Sequence, residues 1–109
     1  MSDRNRYIYF QIISNSEDKK FSKDEIIKKI KSQCISILKT NSYSLGIRLI
    51  KFDGTNGIIK CKHIEKDNTI KLLKSIEEIS SNKVTVETFG TSGTIKALIR
   101  KYMNNKAFT

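Results

Sequence analysis

Tryptophan and proline are absent from this 109-residue chain, histidine occurs once and cysteine twice. With no proline-rich or glycine-rich spacer, nothing marks a linker, and residues 1–109 are expected to form one domain. A chain of that length buries roughly two thirds of its unfolded surface in a single core, which leaves no room for a second, ligand-enclosing domain. No apolar run approaches the ~20 residues needed to span a bilayer. A soluble protein with no membrane partner is the expectation. The opening Met1-Ser2-Asp3-Arg4-Asn5-Arg6 passes directly into a strand-like segment, with no apolar stretch and cleavage site, so the sequence predicts no signal peptide and a cytoplasmic location.

The scarcity of chemically versatile side chains narrows the function. His63 is the only histidine, which excludes a histidine-rich metal centre and argues against a Cys/His nucleophilic pair. Cys34 and Cys61 fall on apolar faces of a predicted helix and a predicted strand and belong to no CxxC pair. Buried free thiols are expected there, not a disulfide or a metal site. Acidic residues are also few, 11 against 21 lysines and arginines, for a formal charge of +10. Part of that excess reflects a general richness in Lys, Ile and Asn and is solvated surface. Its size and placement nevertheless favour a polyanion, nucleic acid above all.

Periodicity supplies the elements. Residues 7–13 alternate as a strand, with Ile8, Phe10 and Ile12 on one face and Tyr7, Tyr9 and Gln11 on the other. After a polar loop over residues 14–20, Ser22 and Glu25 read as a capping box, with Phe21 and Ile26 as its hydrophobic staple. Ile26, Ile30, Cys34, Ile37 and Leu38 then recur at helical spacing, predicting a helix over residues 23–39. Residues 43–52 and 57–64 are two β-branched segments around the turn Asp53-Gly54-Thr55-Asn56, a β-hairpin. A second helix, capped by Asp67 or Asn68, has Ile70, Leu73, Ile76 and Ile79 on its apolar edge. Residues 83–89 form a last strand, followed by a glycine-containing loop and a third helix.

The predicted class is therefore α+β: a ferredoxin-like or RNA-recognition-type sandwich, with a four-stranded antiparallel sheet, two helices on one face and a C-terminal helix. One sheet face would carry Ile8, Phe10, Ile12, Leu45, Ile47, Leu49, Ile59, Cys61, Val84 and Val86 into the helices. The other would carry Tyr7, Tyr9, Arg48, Ile50, Phe52, Lys60, Lys62 and Phe89. That second face is aromatic and basic, but the strand Ile58-Ile59-Lys60-Cys61-Lys62 lacks the exposed aromatic pair on which bases stack. Tyr7, Tyr9, Ile50, Phe52 and Phe89 are accordingly assigned to a protein interface or to the underside of the C-terminal helix.

The segment from Phe89 to Met103 suits a phosphate. Gly90 and Gly93 with Thr91, Ser92 and Thr94 lead into a helix bearing Lys96, Arg100 and Lys101, and backbone N–H groups at a helix start attract anions. Gly and Ser before a helix are equally the residues of an ordinary cap. Ser92, Gly93, Thr94, Lys96, Arg100 and Lys101 form one candidate RNA-binding group, and Arg48, Lys60 and Lys62 a second. Catalysis finds no comparable support. Asp53 is a turn residue, Glu87 is a lone carboxylate, and the first loop is acidic through Glu17 and Asp18 where a phosphatase of this fold needs an arginine. No catalytic residue, metal or cofactor is assigned to the chain.

The opening Arg6-Tyr7-Ile8, the hairpin Gly46-Ile47-Arg48-Leu49-Ile50-Lys51-Phe52 with Gly57-Ile58-Ile59-Lys60-Cys61, and above all Ser92-Gly93-Thr94-Ile95-Lys96 before a basic helix resemble the ribonuclease P protein component 2 family. These are the archaeal relatives of the Pop-five subunit of the eukaryotic ribonucleases P and MRP. The resemblance covers nearly the whole chain. It implies a protein subunit of the ribonucleoprotein that removes 5′ leaders from precursor tRNA, with the catalytic Mg²⁺ ions in the RNA. Its implied partners are the ribonuclease P RNA, the barrel-like component 3 and other subunits of the complex, with precursor tRNA as the substrate. Two readings compete with it: a protein-interaction module with no direct RNA contact, and a small phosphate-ester enzyme of ferredoxin-like fold.

Overall fold

In the computed structural model, residues 4–14 and 20–102 are described, apart from the side chains of Ser42, Tyr43, Lys101 and Tyr102. The acidic pair Glu17 and Asp18 lies outside the described residues. The elements run β1 (Asn5–Ser14), α1 (Lys23–Gln33), β2 (Arg48–Phe52), β3 (Asn56–Lys62), α2 (Lys66–Lys74), β4 (Glu78–Ile79), β5 (Asn82–Ser92) and α3 (Ile95–Tyr102). The sheet order is β2-β3-β1-β5-β4, antiparallel at each pairing. The crossover through α1 skips one strand, β3, and that through α2 leads to the edge strand β4, whose hairpin partner β5 is separated from β3 by β1 alone, the ferredoxin-like arrangement with an added edge strand.

The sheet has five strands where the sequence predicts four. Ile79, at helical spacing from Leu73 and Ile76, belongs instead to a short hairpin whose turn residues Ser80 and Ser81 both have positive φ, 50° and 70°. Three other boundaries differ. Tyr43 and Leu45 lie in a 3₁₀ turn, Ser42–Leu45, and the strand begins only at Arg48. The first helix changes to a π turn over Cys34–Leu38 and stops at Lys39, which is left-handed at φ 58°. The second helix enters through a 3₁₀ turn, His63–Glu65, and not through a cap at Asp67 or Asn68.

The expected start of α1 is present. Ser22 Oγ accepts the Glu25 N–H at 3.1 Å and Glu25 Oε1 accepts the Ser22 N–H at 2.8 Å, closing the capping box. The other Glu25 oxygen accepts the Ser80 hydroxyl at 2.6 Å, which ties the helix start to the β4–β5 turn. Between helices, Gln33 Nε2 donates to Ser75 Oγ at 2.9 Å. Ile8, Phe10, Ile12, Ile59, Cys61, Val84 and Val86 face α1 and α2 and meet Ile26, Ile30, Leu72, Leu73 and Ile76 in the main core. Burial of this apolar surface, at about 25 cal/mol per Å², is the chief source of stability.

Candidate nucleic-acid interface

The opposite sheet face is not open. Leu98 of α3 is fully buried against Tyr9 and Ile58, with Tyr7, Ile50, Ile95 and Ile99 packed around them. Helical spacing explains the fit, since Ile95, Leu98 and Ile99 stand on one stripe of α3. The aromatic face is thus covered by the chain's own last helix, and Tyr9 is only 8% exposed. Burial pushes the Tyr9 phenol above its ordinary pKa, with the Asp53 carboxylate adding to the shift.

Of the five side chains assigned to an interface, Tyr7, Tyr9 and Ile50 lie under α3. Phe89 keeps 43% of its surface exposed while its ring sits 5.3 Å from that of Tyr9. Phe52 does not share this face. A β-bulge places Leu49 opposite Ile59 and Lys51 opposite Ile58, so Ile50 is the extra residue and Phe52 comes round to the main core.

The glycine segment is also reorganised. Gly90, Thr91 and Ser92 continue β5 and pair with Tyr9, Ile8 and Tyr7 of β1, past a bulge at Phe89. Only Gly93 and Thr94 separate the strand from α3, and Thr94 caps the helix: its Oγ1 accepts the Ala97 N–H at 3.1 Å. Ser92 Oγ accepts the Thr94 N–H at 3.3 Å. The ordinary cap accounts for the hydroxyls here, and a wide phosphate-cradling loop is not formed.

The basic residues remain on the α3 side. Register aligns Arg48, Lys60, Tyr7 and Ser92 in one row across β2, β3, β1 and β5, with Lys62 two residues further along β3. Residues directly opposite in an antiparallel pair share a face, so Arg48 and Lys60 set like charges side by side. They line a shallow cleft of about 280 Å³ with Gly46 and Ile47. Lys96 and Arg100 are exposed on α3, and the Lys101 side chain lies outside the described residues. Sequence reasoning missed Arg6 and His63 at the same end of the sheet, where Arg6 Nε donates to His63 Nδ1 at 3.0 Å.

Asp53 is occupied by its turn, accepting the Thr55 and Asn56 N–H groups at 3.0 and 2.7 Å. Cys34 and Cys61 are buried and unbridged. Among the described residues, no three His, Cys, Asp or Glu side chains cluster closely enough to hold a metal ion. Nor, among them, is any helix long and apolar enough to cross a membrane.

The Rpp14/Pop5 family model matches residues 6–103. A ribonuclease P protein component 2 from Thermococcus kodakarensis is 38% identical over 108 residues, covering 94% of this chain and 86% of its own. Its counterpart from Pyrococcus furiosus is 36% identical over 107 residues, with 95% and 87% covered. That from Archaeoglobus fulgidus is 31% identical over 103 residues, with 94% and 92% covered. A chain of the cryo-EM structure of yeast ribonuclease MRP superposes with a TM-score of 0.67 over 97% of this chain and 93% of that one, at 13% identity. That likeness is one of fold. On the family match and on relatives above 30% identity along nearly the whole chain, this protein belongs to the Rpp14/Pop5 family.

Proposed function

We infer that the chain is a protein subunit of the ribonuclease P ribonucleoprotein, the endoribonuclease complex that removes 5′ leaders from precursor tRNA. The family match and the relatives named ribonuclease P protein component 2 support this. Its part in the complex is to hold RNA backbone, not to cut it. The observation that carries this reading is the docking of α3: with Leu98 buried on Tyr9 and Ile58, base stacking on the sheet is closed off while the cations on that side stay accessible.

Arg48 opposite Lys60 is unfavourable for the protein alone and becomes favourable with a phosphate between them. Lys62, Lys96 and Arg100, with Ser92, Gly93 and Thr94, extend the same phosphate-contacting surface, and Lys101 is assigned to it from the sequence alone. Cations placed between RNA segments lower their mutual repulsion, so the folded RNA needs less Mg²⁺. The catalytic chemistry and its Mg²⁺ belong in this reading to the RNA component, and the barrel-like component 3 is the protein partner. The complex works in the cytoplasm.

Reconstituted cleavage of precursor tRNA by ribonuclease P RNA, with and without this chain and the barrel-like subunit, tests the proposal. The chain should bind the RNA in a gel shift and lower the Mg²⁺ concentration needed for cleavage, without turning over substrate alone. No RNA binding by either form would favour the interaction-only module. Cleavage by the isolated chain would favour the enzyme.

A further inference from the structure

Arg6 stands at the end of the sheet that also carries Lys62 and Gly93. Its strand, β1, lies between β3 and β5, and Arg6 pairs with Cys61 on one side while its neighbour Tyr7 pairs with Ser92 on the other. Its side chain therefore shares the α1/α2 face with Cys61, opposite to Lys60 and Lys62, and its head reaches Gly93 at the end of β5, just before α3. The guanidinium donates Nε–H to His63 Nδ1 at 3.0 Å, its one hydrogen bond among the described residues. Arginine has five N–H donors, so the Nη donors are uncommitted there. The acceptor is a neutral imidazole nitrogen, and the positive charge is not offset as a carboxylate would offset it.

His63 is itself anchored. Its backbone N–H donates to the carbonyl of Arg4, the residue before β1, at 2.8 Å, so backbone and ring are held by Arg4 and Arg6 in turn. An accepting Nδ1 in a neutral ring puts the proton on Nε2, and the ring acts as a fixed strut for the guanidinium. Gly93 supplies the second observation. Its φ lies outside the left-handed region, and a Cβ there would meet only Arg6 Nη1, at an ordinary 3.8 Å. Neither backbone geometry nor internal crowding requires glycine at this position. A longer side chain would lie over the Nη atoms of Arg6.

We propose that Arg6, oriented by His63 and left uncovered by Gly93, takes a phosphodiester of the RNA through its Nη atoms at the end of the sheet where α3 begins. This rests on the RNA-binding reading above. Arg6 is the contacting residue and His63 the positioning one. The planar fork matches two phosphate oxygens, which a lysine cannot do.

The test measures binding to ribonuclease P RNA over a salt series. Arg6→Ala should weaken binding roughly tenfold and reduce the steepness of log K against log salt by about 0.7–0.9. Arg6→Lys should recover only part of the affinity. His63→Phe should weaken binding, and His63→Asn, whose amide oxygen can accept from Nε, should restore it. Gly93→Leu should weaken binding with an unchanged thermal midpoint. Wild-type binding by Arg6→Ala and Gly93→Leu, while Lys96→Ala and Arg100→Ala still bind weakly, would overturn the Arg6 assignment and leave the RNA-binding reading standing. Wild-type binding by all four would overturn both.

Discussion

Phe10 and Phe52 stack on the helix side of the sheet with ring centroids 6.3 Å apart and planes inclined by 15°. They meet because the residue between them is Gly57, which pairs with Phe10 on β1 and with Phe52 on β2. A Cβ on Gly57 would lie 2.6 Å from Phe10 Cζ and 2.9 Å from the Lys51 carbonyl oxygen. Backbone cannot retreat as a flexible side chain can. Gly57→Ala should therefore destabilise the domain by about 1–3 kcal/mol. In urea titrations the midpoint should fall with the slope m unchanged.

Leu98 fastens α3 to the sheet. It is fully buried, and the other α3 contacts, Ile95 and Ile99, are only partly so. Leu98→Ala should cost about 2–5 kcal/mol locally. Because α3 meets the sheet through this one apolar stripe, the loss should show as undocking before global unfolding. The expected signs are increased binding of a hydrophobic dye and faster hydrogen exchange in Ile95–Tyr102, with exchange in the Ile8 to Ile12 region unchanged.

The helix-facing row was legible because it depends only on alternation. Once Ile8, Phe10 and Ile12 are paired to Ile59 and Val86, their common face follows. Phe52 was not legible, because its face is decided by a bulge that exists only in the pairing of β2 with β3. Gly90 to Ser92 read as loop for a similar reason: their propensity is weak, and their place in β5 comes from the ladder with β1. Ser80 and Ser81 hold a turn that glycine or asparagine would have announced. Of the candidate site, the lysines and arginines of β3 and α3 could be read from charge and spacing. Arg6 and His63 could not, being brought together from 57 residues apart.

The two thiols give the domain a pH dependence of definite sign. Burial pushes Cys34 up, with the Glu65 carboxylate adding to it. Burial likewise pushes Cys61 up, partly offset by its hydrogen bond with Thr69. A thiol whose pKa is raised by folding holds its proton better in the folded state. Its contribution is complete below the unfolded value of about 8.5 and is lost as pH rises from there through the folded value. Urea midpoints should therefore fall as pH rises above about 8.5. A Cys34→Ala/Cys61→Ala variant should be less stable at neutral pH but show a flatter decline. Iodoacetamide at pH 8 should label neither thiol until the chain is unfolded.

If the two basic groups contact the same RNA through phosphates, their contributions should be electrostatic, separable and indifferent to base sequence. Arg48→Ala and Lys60→Ala probe the cleft at β2 and β3, and Lys96→Ala and Arg100→Ala probe the exposed side of α3. Each should remove about 0.7–0.9 from the salt slope, with thermal stability changed by less than about 0.5 kcal/mol because none of the four supports the core. Arg48 and Lys60 differ from the α3 pair in one respect. They are direct cross-strand neighbours of like charge, so removing either should slightly stabilise the free protein while weakening the complex. A double substitution within that pair should be non-additive, since one phosphate serves both, whereas Arg48→Ala with Arg100→Ala should add. Isothermal titration over a salt series, beside thermal melts of the free variants, checks both statements. Equal salt slopes in wild type and all four variants would remove the phosphate contact from these residues.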